Sequence, residues 1–316
     1  MSEFQFSNSD NKQWSRMGPR AMFGQFMLDL GKKYKKLMIL SADLGRSSGL
    51  DRFKSEFPEK YLSVGIGEQN MIGVASGLAR EGFKVFVTSF APFLSMRSSE
   101  QIRMNLGYMK HNVHLVALGS GVSMAYLGNS HFGLEDLSVI RSIPNINISS
   151  PADSGELGKM LYDYCKYERG PSYIRLTGVP GVKKVYEKNY KYIFGKPVIL
   201  KKGGDLLIIS SGSLVAEAIV AANTLKSKGI DAEVINFELI FADLETLNKR
   251  KEKIEKKLRS GDKDLANEFS LIDSCVKTLE SGDFINISDY PNKEDLKIIQ
   301  SFQLLTANQS FSLQMS

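Results

Sequence analysis

Residues 61–90 read YLSVGIGEQNMIGVASGLAREGFKVFVTSF, and this stretch decides the fold. A short apolar strand is predicted at residues 61–66, and a second one at residues 83–88. Between them, residues 68–80 carry small and apolar side chains at the spacing of a helix. Two buried strands joined by a helix of this length are typical of a parallel βαβ unit.

The same alternation continues on both sides of this unit. Strands and helices that follow one another in this way predict an α/β fold, with a mostly parallel sheet covered by helices on both faces. Further strands are predicted at residues 37–42, 113–118, 146–149 and 173–176. Further helices are predicted at residues 20–34, 97–108 and 154–167.

The pattern changes after residue 178 and again after residue 240. Pro, Gly, Lys and Tyr interrupt it near residue 180, and a second α/β unit follows, with strands at 206–210 and 232–236 around a helix at 214–226. This unit is expected to be truncated, because its sheet needs more parallel strands to be buried. The charged segment 242–281 has two apolar stripes at helical spacing and predicts a helical hairpin. The predicted domains are residues 1–180, a linker at 181–198, a partial domain at 199–240 and a helical tail at 241–316.

The composition is that of an ordinary globular protein. The chain has 316 residues, of which 42% are hydrophobic and 24% charged, and its net charge is +6. Nucleic-acid binding is not expected, because the basic residues are spread along the chain rather than gathered in one arm. Two distant cysteines, Cys165 and Cys275, suit a reducing compartment. No apolar run approaches the ~20 residues that span a bilayer, and a cytoplasmic location without membrane contact is expected.

Glu68 follows Gly65-Ile66-Gly67 at the point where a strand ends and a helix begins. Ligand groups in open α/β sheets often lie at this point. A carboxylate in the first turn of a helix also has a structural interpretation, as a dipole partner or cap, and spacing alone favours that interpretation. The segment contains no complete Gly-rich phosphate-binding motif, so the phosphates of any cofactor are expected to be held elsewhere.

A set of segments in fixed order resembles a known family. These segments are SADLGRSSGLDRF, VGIGEQNMIGVASGLAREG, SFAPFLSMRSSEQIR, GNSHFGLEDLSVIRSIPNI, SPAD and GPSYIRL. Over residues 18–239 they resemble the C-terminal subunit of a split transketolase, with deoxyxylulose-phosphate synthase and the β subunits of 2-oxo-acid dehydrogenases as more distant relatives. The resemblance implies the thiamine-diphosphate-binding fold of the pyrimidine domain.

The resemblance implies a catalytic role for Glu68. In this family the matching glutamate hydrogen-bonds N1′ of the aminopyrimidine ring and promotes its imino tautomer, whose exocyclic nitrogen takes the proton from C2 of the thiazolium ring. A carboxyl group with this role must hold a proton at neutral pH, and apolar surroundings favour the protonated form of a carboxyl group. The cofactor supplies the carbon chemistry, and the protein tunes it.

Three further positions match the family's cofactor pocket. Phe90 and Phe93 match the aromatic residues around the pyrimidine ring, although both also suit an ordinary core beside a strand end. Met96 stands where transketolases usually have a third aromatic residue, so this part of the pocket is expected to be softer or differently shaped. Ser89, Gln101 and Arg103 are interpreted as helix or interface residues rather than catalytic ones.

The expected substrate end departs from the family. His131 matches a histidine that can hydrogen-bond a donor oxygen or shuttle a proton, although a loop histidine can also be a solvated surface residue. Gly119 stands in place of a second family histidine, and Leu127 in place of an aspartate that reads the sugar. The arginine that binds the substrate phosphate aligns near Gly178, and nearby Arg175 is a candidate substitute. The resemblance therefore implies cofactor activation, but these departures remove the residues that would specify a ketose phosphate.

The family's diphosphate site is also missing from the sequence. Transketolases bind Mg²⁺ and the diphosphate through a Gly-Asp-Gly segment followed by Asn-Asn, and no such pair of segments occurs here. Mg²⁺ requires hard oxygen ligands. The resemblance therefore implies no metal ligand in this chain, and a separate N-terminal subunit that carries the diphosphate and Mg²⁺ in an α2β2-type assembly.

Residues 237–308 carry a second resemblance. The segments ADLE, SGDK and QLLTA resemble the helical arm of the YchF/Obg-like ATPase family, whose nucleotide-binding loop does not occur in this chain. The alternative is a helical replacement specific to this chain. Neither interpretation carries ATPase activity over.

Three functions remain open from the sequence. The first is a subunit of a thiamine-diphosphate-dependent transketolase of pentose phosphate metabolism, which moves a two-carbon ketol unit between sugar phosphates. The second is a β-type subunit of a 2-oxo-acid dehydrogenase or a deoxyxylulose-phosphate synthase-like enzyme. The third is a non-catalytic interaction protein, which the substitutions Gly119 and Leu127 favour.

Overall fold

The computed structural model describes most of the chain. Described are residues 4–178, 181–237, 250–251, 254–255, 258, 265–280, 290 and 292–302. The chain divides into two compact units, Met1–Ile240 and Phe241–Ser316.

The first unit is built on a six-stranded sheet in the order β2-β1-β3-β4-β6-β5, in which all neighbouring strands are parallel. Every residue of β4 is buried, as expected when helices cover both faces of a parallel sheet. The expected mostly parallel α/β fold is confirmed. The strands are β1 (Leu37–Ser41), β2 (Tyr61–Ser63), β3 (Lys84–Phe90), β4 (Val113–Leu118), β5 (Asn147–Ser149) and β6 (Ser172–Leu176).

The helices of this unit include all the predicted ones, and further helices that were not predicted. The predicted helix at 97–108 is irregular, because π-helical turns at Phe93–Arg97 and Arg103–Tyr108 flank its α-helical part. Helix α1 was not predicted, although Ser7 and Asp10 form a capping box at its start. The helices are α1 (Asn8–Met17), α2 (Pro19–Lys33), α3 (Asp51–Glu56), α4 (Glu68–Arg80), α5 (Ser99–Ile102), α6 (Asp136–Arg141), α7 (Ser154–Lys166) and α8 (Val215–Lys226).

The main core lies where α2 and α7 pack together beside the sheet. Met22 and Phe26 of α2 belong to the same buried cluster as Leu157 and Met160 of α7. Each large apolar side chain that this layer removes from water stabilises the fold by about 1.5–3 kcal/mol. This packing holds the six strands in a fixed frame, so that the loops at their ends are positioned by the sheet.

A three-stranded sheet follows, in the order β7-β9-β8. Strands β8 (Leu206–Ser210) and β9 (Ala232–Asn236) are parallel, as predicted, and α8 connects them. Strand β7 (Val198–Lys201) was not predicted and pairs with β9 in the antiparallel direction. The preceding segment, predicted as a linker, is in part buried, since Val185 and Tyr186 pack with Ala152 and Val215.

The second unit contains α9 (Ala266–Glu280) and α10 (Lys293–Ser301). Helix α9 corresponds to the second predicted helix of the hairpin, and α10 was not predicted. Ile272, Cys275 and Ile299 are fully buried in a small core between these elements. Much of the first predicted helix of the hairpin lies outside the described residues; those described at 250–251, 254–255 and 258 are helical.

Candidate active site at the carboxyl edge of the sheet

The predicted site residues follow the carboxyl ends of neighbouring parallel strands. Glu68 begins α4 after β2, and Phe90 ends β3, just before Phe93. His131 lies in the segment after β4, and Arg175 lies near the end of β6. Because parallel strands end at one edge, the topology brings these segments to the same side of the sheet. The turn into α4 uses Gly65 at φ +71°, a conformation that glycine adopts without strain.

Glu68 is a buried carboxylate with two different partners. Glu68 is 1% exposed, although it begins a helix and lies next to exposed residues. Ser89 donates its hydroxyl hydrogen to Oε1 at 3.0 Å. Arg97 donates from Nη1 to Oε2 at 2.8 Å and forms an ion pair with it. The predicted burial of this carboxyl group is therefore found, and a cation compensates its charge.

Arg97 connects the carboxylate to the aromatic residues. Its guanidinium lies over the ring of Phe93, with 4.2 Å from Cζ to the ring centroid. Its backbone carbonyl accepts a hydrogen bond from Nε2 of Gln69 at 3.1 Å. The ion pair of Glu68 thus lies beside Phe93. Arg97 was not among the residues predicted from the sequence, and Ser89 was interpreted as a helix or interface residue; both contact the carboxylate of Glu68.

Phe90, Phe93 and His131 form one aromatic cluster. The centroid of the His131 ring lies 5.2 Å from Phe90 and 5.1 Å from Phe93, and both contacts are edge-to-face. The two phenylalanine rings are 6.0 Å apart, also edge-to-face. Such contacts stabilise aromatic pairs beyond the burial of their surface. Nδ1 of His131 lies 3.1 Å from Oγ of Ser130, so one ring nitrogen is hydrogen-bonded within the loop.

Met96 lies in the same turn as Phe93, and Arg175 forms an ion pair with Asp136. Met96 is exposed, and it follows Phe93 in the same π-helical turn. Arg175 donates from Nε to Oδ2 of buried Asp136 at 2.8 Å and from Nη2 to the carbonyl oxygen of Gly133 at 3.2 Å. The Arg175 guanidinium is thus bound within the protein at the position where a substrate phosphate was expected to contact it.

Met124 fills the space beside two glycines at the expected substrate end. A Cβ atom at Gly119, whose φ is +70°, would collide with the side chain of Met124 and approach Phe90. A Cβ atom at Gly178 would collide with the sulfur of Met124. Met124 is buried, whereas Leu127 in the same loop is exposed. The positions expected for a histidine and an arginine in the family are therefore glycines that accommodate one apolar side chain.

The described cysteines are buried. Burial raises the pKa of the Cys165 thiol to about 12, so this group stays protonated at neutral pH. In the described part of the chain, no group of three or more His, Cys, Asp or Glu side chains is arranged to hold a metal ion. No helix among the described residues is both long enough and apolar enough to cross a membrane.

Two family models match this chain. The family model described as the transketolase pyrimidine-binding domain matches residues 16–178, and the model described as the transketolase C-terminal domain matches residues 195–256. The first match covers more than half of the chain, and the chain belongs to the transketolase family, which is thiamine-diphosphate-dependent. The second match extends into the segment expected to resemble the YchF/Obg-like arm, and the comparisons give that second resemblance no support.

Similar proteins include subunits of divided transketolases. The chain is 39% identical over 225 residues to a putative transketolase C-terminal section from Methanocaldococcus jannaschii, with 71% of each chain covered. It is 35% identical to one subunit of an apulose-4-phosphate transketolase from Phocaeicola vulgatus, covering 74% of this chain and 75% of that one. A solved structure described as a split gene transketolase, an inactive beta4 tetramer, is 34% identical and superposes with a TM-score of 0.65 over 74% of this chain and 75% of that one.

The residues present fit the aminopyrimidine half of thiamine diphosphate. A buried carboxyl group can hydrogen-bond a ring nitrogen, and the rings of Phe90 and Phe93 offer flat apolar surfaces to a heteroaromatic ring. Oε1 of Glu68 is held by Ser89, which is itself fully buried. The second oxygen, Oε2, is the one whose partner, Arg97, reaches solvent.

Proposed function

We propose that this chain is the pyrimidine-binding subunit of a thiamine-diphosphate-dependent transketolase that transfers a two-carbon ketol unit between sugar phosphates. The observation that carries the proposal is Glu68, a carboxylate 1% exposed at the carboxyl edge of a parallel sheet, whose ion-pair partner Arg97 lies over the ring of Phe93. Buried ionisable groups at such edges are candidates for function, because burial there is costly without a purpose. The family match to residues 16–178 supports the same cofactor.

In this proposal Glu68 holds a proton against a nitrogen of the aminopyrimidine ring. When bound, thiamine diphosphate supplies the nucleophilic thiazolium carbon that accepts the ketol unit. Ser89 fixes the orientation of the carboxyl group through Oε1, so Oε2 is the oxygen available to the ring nitrogen. A group that transfers or shares a proton must lie within hydrogen-bonding distance of its target, and fixing one oxygen positions the other.

The aromatic cluster and His131 serve the same site from the neighbouring strands. Phe90 and Phe93 pack against the ring and keep water from the carboxyl group, which strengthens its hydrogen bonds. His131 lies against both rings, and its imidazole is proposed to hydrogen-bond a substrate oxygen or move a proton at that oxygen. Met96 borders the cofactor pocket. Arg175, bound to Asp136, is proposed to reach a substrate phosphate only if that ion pair rearranges.

A partner chain is part of the proposal. We propose that an N-terminal subunit holds Mg²⁺ and the diphosphate, and that the two chains assemble in an α2β2 arrangement. The relatives named as a C-terminal section and as one subunit of a transketolase support a divided enzyme. The solved relative described as an inactive beta4 tetramer supports the expectation that this chain alone has no activity.

The substrate end favours a second candidate within the same chemistry. Gly119 and Gly178 stand at the two positions expected for a histidine and a phosphate-binding arginine, and Met124 fills the space between them. The chain is also 36% identical over 220 residues to a 1-deoxy-D-xylulose-5-phosphate synthase from Dictyoglomus turgidum. A synthase-like reaction with a small 2-oxo acid donor is therefore the alternative. A reconstituted enzyme supplied with pyruvate or with a ketose phosphate distinguishes the two candidates by which donor is consumed.

The test of the proposal is Glu68→Gln in a complex reconstituted with a candidate N-terminal subunit. Turnover is expected to fall on the order of 100-fold or more, because proton transfer by a positioned group contributes about that much. Subunit pairing, measured by size-exclusion chromatography with light scattering, is expected to persist. The control is Glu100→Gln, since Glu100 pairs with Arg103 on the surface near the site. Equal turnover in the wild type and the Glu68→Gln variant would refute the proposed function.

A further inference from the structure

Arg97 occupies two surfaces that an aminopyrimidine needs. Its Nη1 lies 2.8 Å from Oε2 of Glu68, the oxygen that Ser89 leaves available. Its guanidinium also lies over the face of Phe93, at 4.2 Å from the ring centroid. A ring that hydrogen-bonds the carboxyl group and packs on this face meets the guanidinium at both places. This inference rests on the proposed function, because it concerns the same pocket.

The two partners of Glu68 differ in how easily they can leave. Ser89 is fully buried at the end of β3, so its hydroxyl group is held by the sheet. The Arg97 side chain is 44% exposed, and its long stem leads to solvent. A guanidinium that reaches water can exchange its carboxylate partner for hydration at little cost, since ion pairs open to solvent contribute about 1 kcal/mol or less.

A charged partner is nevertheless needed before the cofactor binds. An ionised carboxylate removed from water is strongly destabilising unless a cation or several donors compensate it. Arg97 supplies that cation. A hydrogen bond from the side chain of Gln69 to the backbone carbonyl of Arg97 stabilises the turn in which Arg97 lies. That hydrogen bond involves the main chain, so it can persist when the side chain moves.

We propose that Arg97 is a displaceable positioning residue that stands in for the aminopyrimidine. It pairs with Glu68 and covers Phe93 before the cofactor enters, and it releases both when the cofactor binds. The buried carboxyl group then exchanges a cation for a ring nitrogen. The affinity for the cofactor is therefore lowered by the free energy needed to separate Arg97 from Glu68.

The test measures the dissociation constant of thiamine diphosphate, with Mg²⁺ present, by isothermal titration calorimetry on the reconstituted two-subunit complex. Arg97→Gln is expected to bind the cofactor about fivefold more tightly than the wild type, because there is no ion pair to separate. Arg97→Lys keeps a cation within reach of Glu68 and is expected to stay within about twofold of the wild type. A merely structural role for Arg97 predicts weaker binding in the Gln variant.

The matched control is Arg103→Gln. Arg103 lies in the same irregular helical segment, its side chain is 43% exposed, and it also forms an ion pair at 2.8 Å, but its partner is the exposed Glu100. Its replacement is expected to leave the dissociation constant unchanged. Tighter binding in both arginine variants would attribute the effect to net charge alone and would overturn the inference.

A second measurement needs no cofactor. Urea unfolding of the full chain, followed by the fluorescence of the single tryptophan Trp14, is carried out for Glu68→Gln, Arg97→Gln and the double variant. The ion pair predicts that the two effects do not add. Additive effects, or an unchanged or weaker affinity for the cofactor in Arg97→Gln, would overturn the inference and leave the proposed function standing. A wild-type complex that binds no thiamine diphosphate would overturn both.

Discussion

The first unit contains two buried glutamates in the first turns of two helices, and their surroundings differ. Glu68 of α4 and Glu156 of α7 are both 1% exposed. Glu68 is held by one buried hydroxyl group and one half-exposed cation, Arg97. Glu156 is held by neutral donors from three separate segments, which are the backbone N–H of Ala152, the hydroxyls of Tyr186 and Tyr190, and the amide of Asn236.

The difference separates a carboxyl group that can change its partner from one that cannot. The donors around Glu156 come from the turn before α7, the segment before β7 and the end of β9, and they fix these three parts to one another. Burial raises the pKa of Glu156, against the lowering effect of its hydrogen bonds. Glu68 lies instead at an open edge, with a partner that reaches solvent. Burial alone therefore does not mark a functional carboxylate, and the solvent exposure of its partners distinguishes the two.

The largest expected effect comes from replacing each glutamate by glutamine and comparing the free energies of unfolding. Glu156→Gln turns one acceptor oxygen into a donor that faces other donors, and each buried donor left unpaired costs about 1–3 kcal/mol. A loss of about 2–4 kcal/mol is expected. Glu68→Gln keeps an acceptor for Ser89 and loses only an ion pair open to solvent, so about 1 kcal/mol or less is expected.

Urea unfolding followed by Trp14 measures this difference. Trp14 packs edge-to-face against Phe26, with 5.1 Å between centroids, so its fluorescence reports on the core of the first unit. The slopes against urea concentration should agree between variants, which shows that the same surface unfolds. Equal losses for the two variants would contradict the distinction drawn between the two carboxyl groups.

The second prediction concerns the pH dependence of stability. The pKa of Glu156 is raised in the folded protein, so the folded state binds its proton more tightly than the unfolded state. The free energy of unfolding is therefore expected to fall as pH rises from the ordinary glutamate value toward the raised pKa, and to change no further from this group above that pKa. Glu156→Gln is expected to remove this decline, and Glu68→Gln to retain it. A decline that persists in Glu156→Gln would assign it to another group.

The sequence predicts most strands and helices that carry the two glutamates, but it does not predict the long-range contacts between them and other residues. Strand β4 was predicted because residues 113–118 are apolar except for His114, and a buried parallel strand needs such a mostly apolar run. Strand β7 was missed, since Val198–Lys201 is only partly buried and follows a run of Lys and Tyr that indicates a connection. Strand β7 forms by pairing with β9, which lies 30 and more residues away. The sequence around residues 198–201 does not indicate that pairing.

At the candidate site, too, contacts between residues that are far apart in the sequence were not predicted. Glu68, Phe90, Phe93 and His131 were predicted from the family resemblance and lie at one edge of the sheet. Arg97 was missed because its contact with Glu68 joins residues 29 apart, and a π-helical turn directs it there. Helical periodicity cannot predict such a turn. The side-chain partners of Glu156 were missed for the same reason, since they are separated from it by 30 to 80 residues.

The third prediction tests the fixed partner of Glu68. Ser89→Ala removes the hydroxyl group that holds Oε1 and leaves a buried carboxylate oxygen with one donor fewer, at an expected loss of about 1 kcal/mol in the free energy of unfolding. In the reconstituted complex, turnover is expected to fall more than stability suggests, on the order of tenfold, because the carboxyl group is no longer oriented. Ser89→Thr, which keeps a hydroxyl group, is the control and should retain most of the turnover.

The smallest expected effect comes from a single donor in the other cluster. Tyr190→Phe removes a hydroxyl that lies 3.1 Å from Oε1 of Glu156, while Tyr186 at 2.7 Å and Asn236 still donate to the same oxygen. The ring of Tyr190 stacks on that of Tyr186 at 4.2 Å, and phenylalanine preserves this contact. About 0.5–1 kcal/mol of unfolding free energy is therefore expected to be lost, within the range for one hydrogen bond. Tyr186→Phe, which removes the shorter bond to the same oxygen together with the hydroxyl that Asn236 contacts, should lose more. If the two variants lost the same free energy, Glu156 would not depend on its individual donors, and the contrast with Glu68 would rest on the ion pair of Arg97 alone.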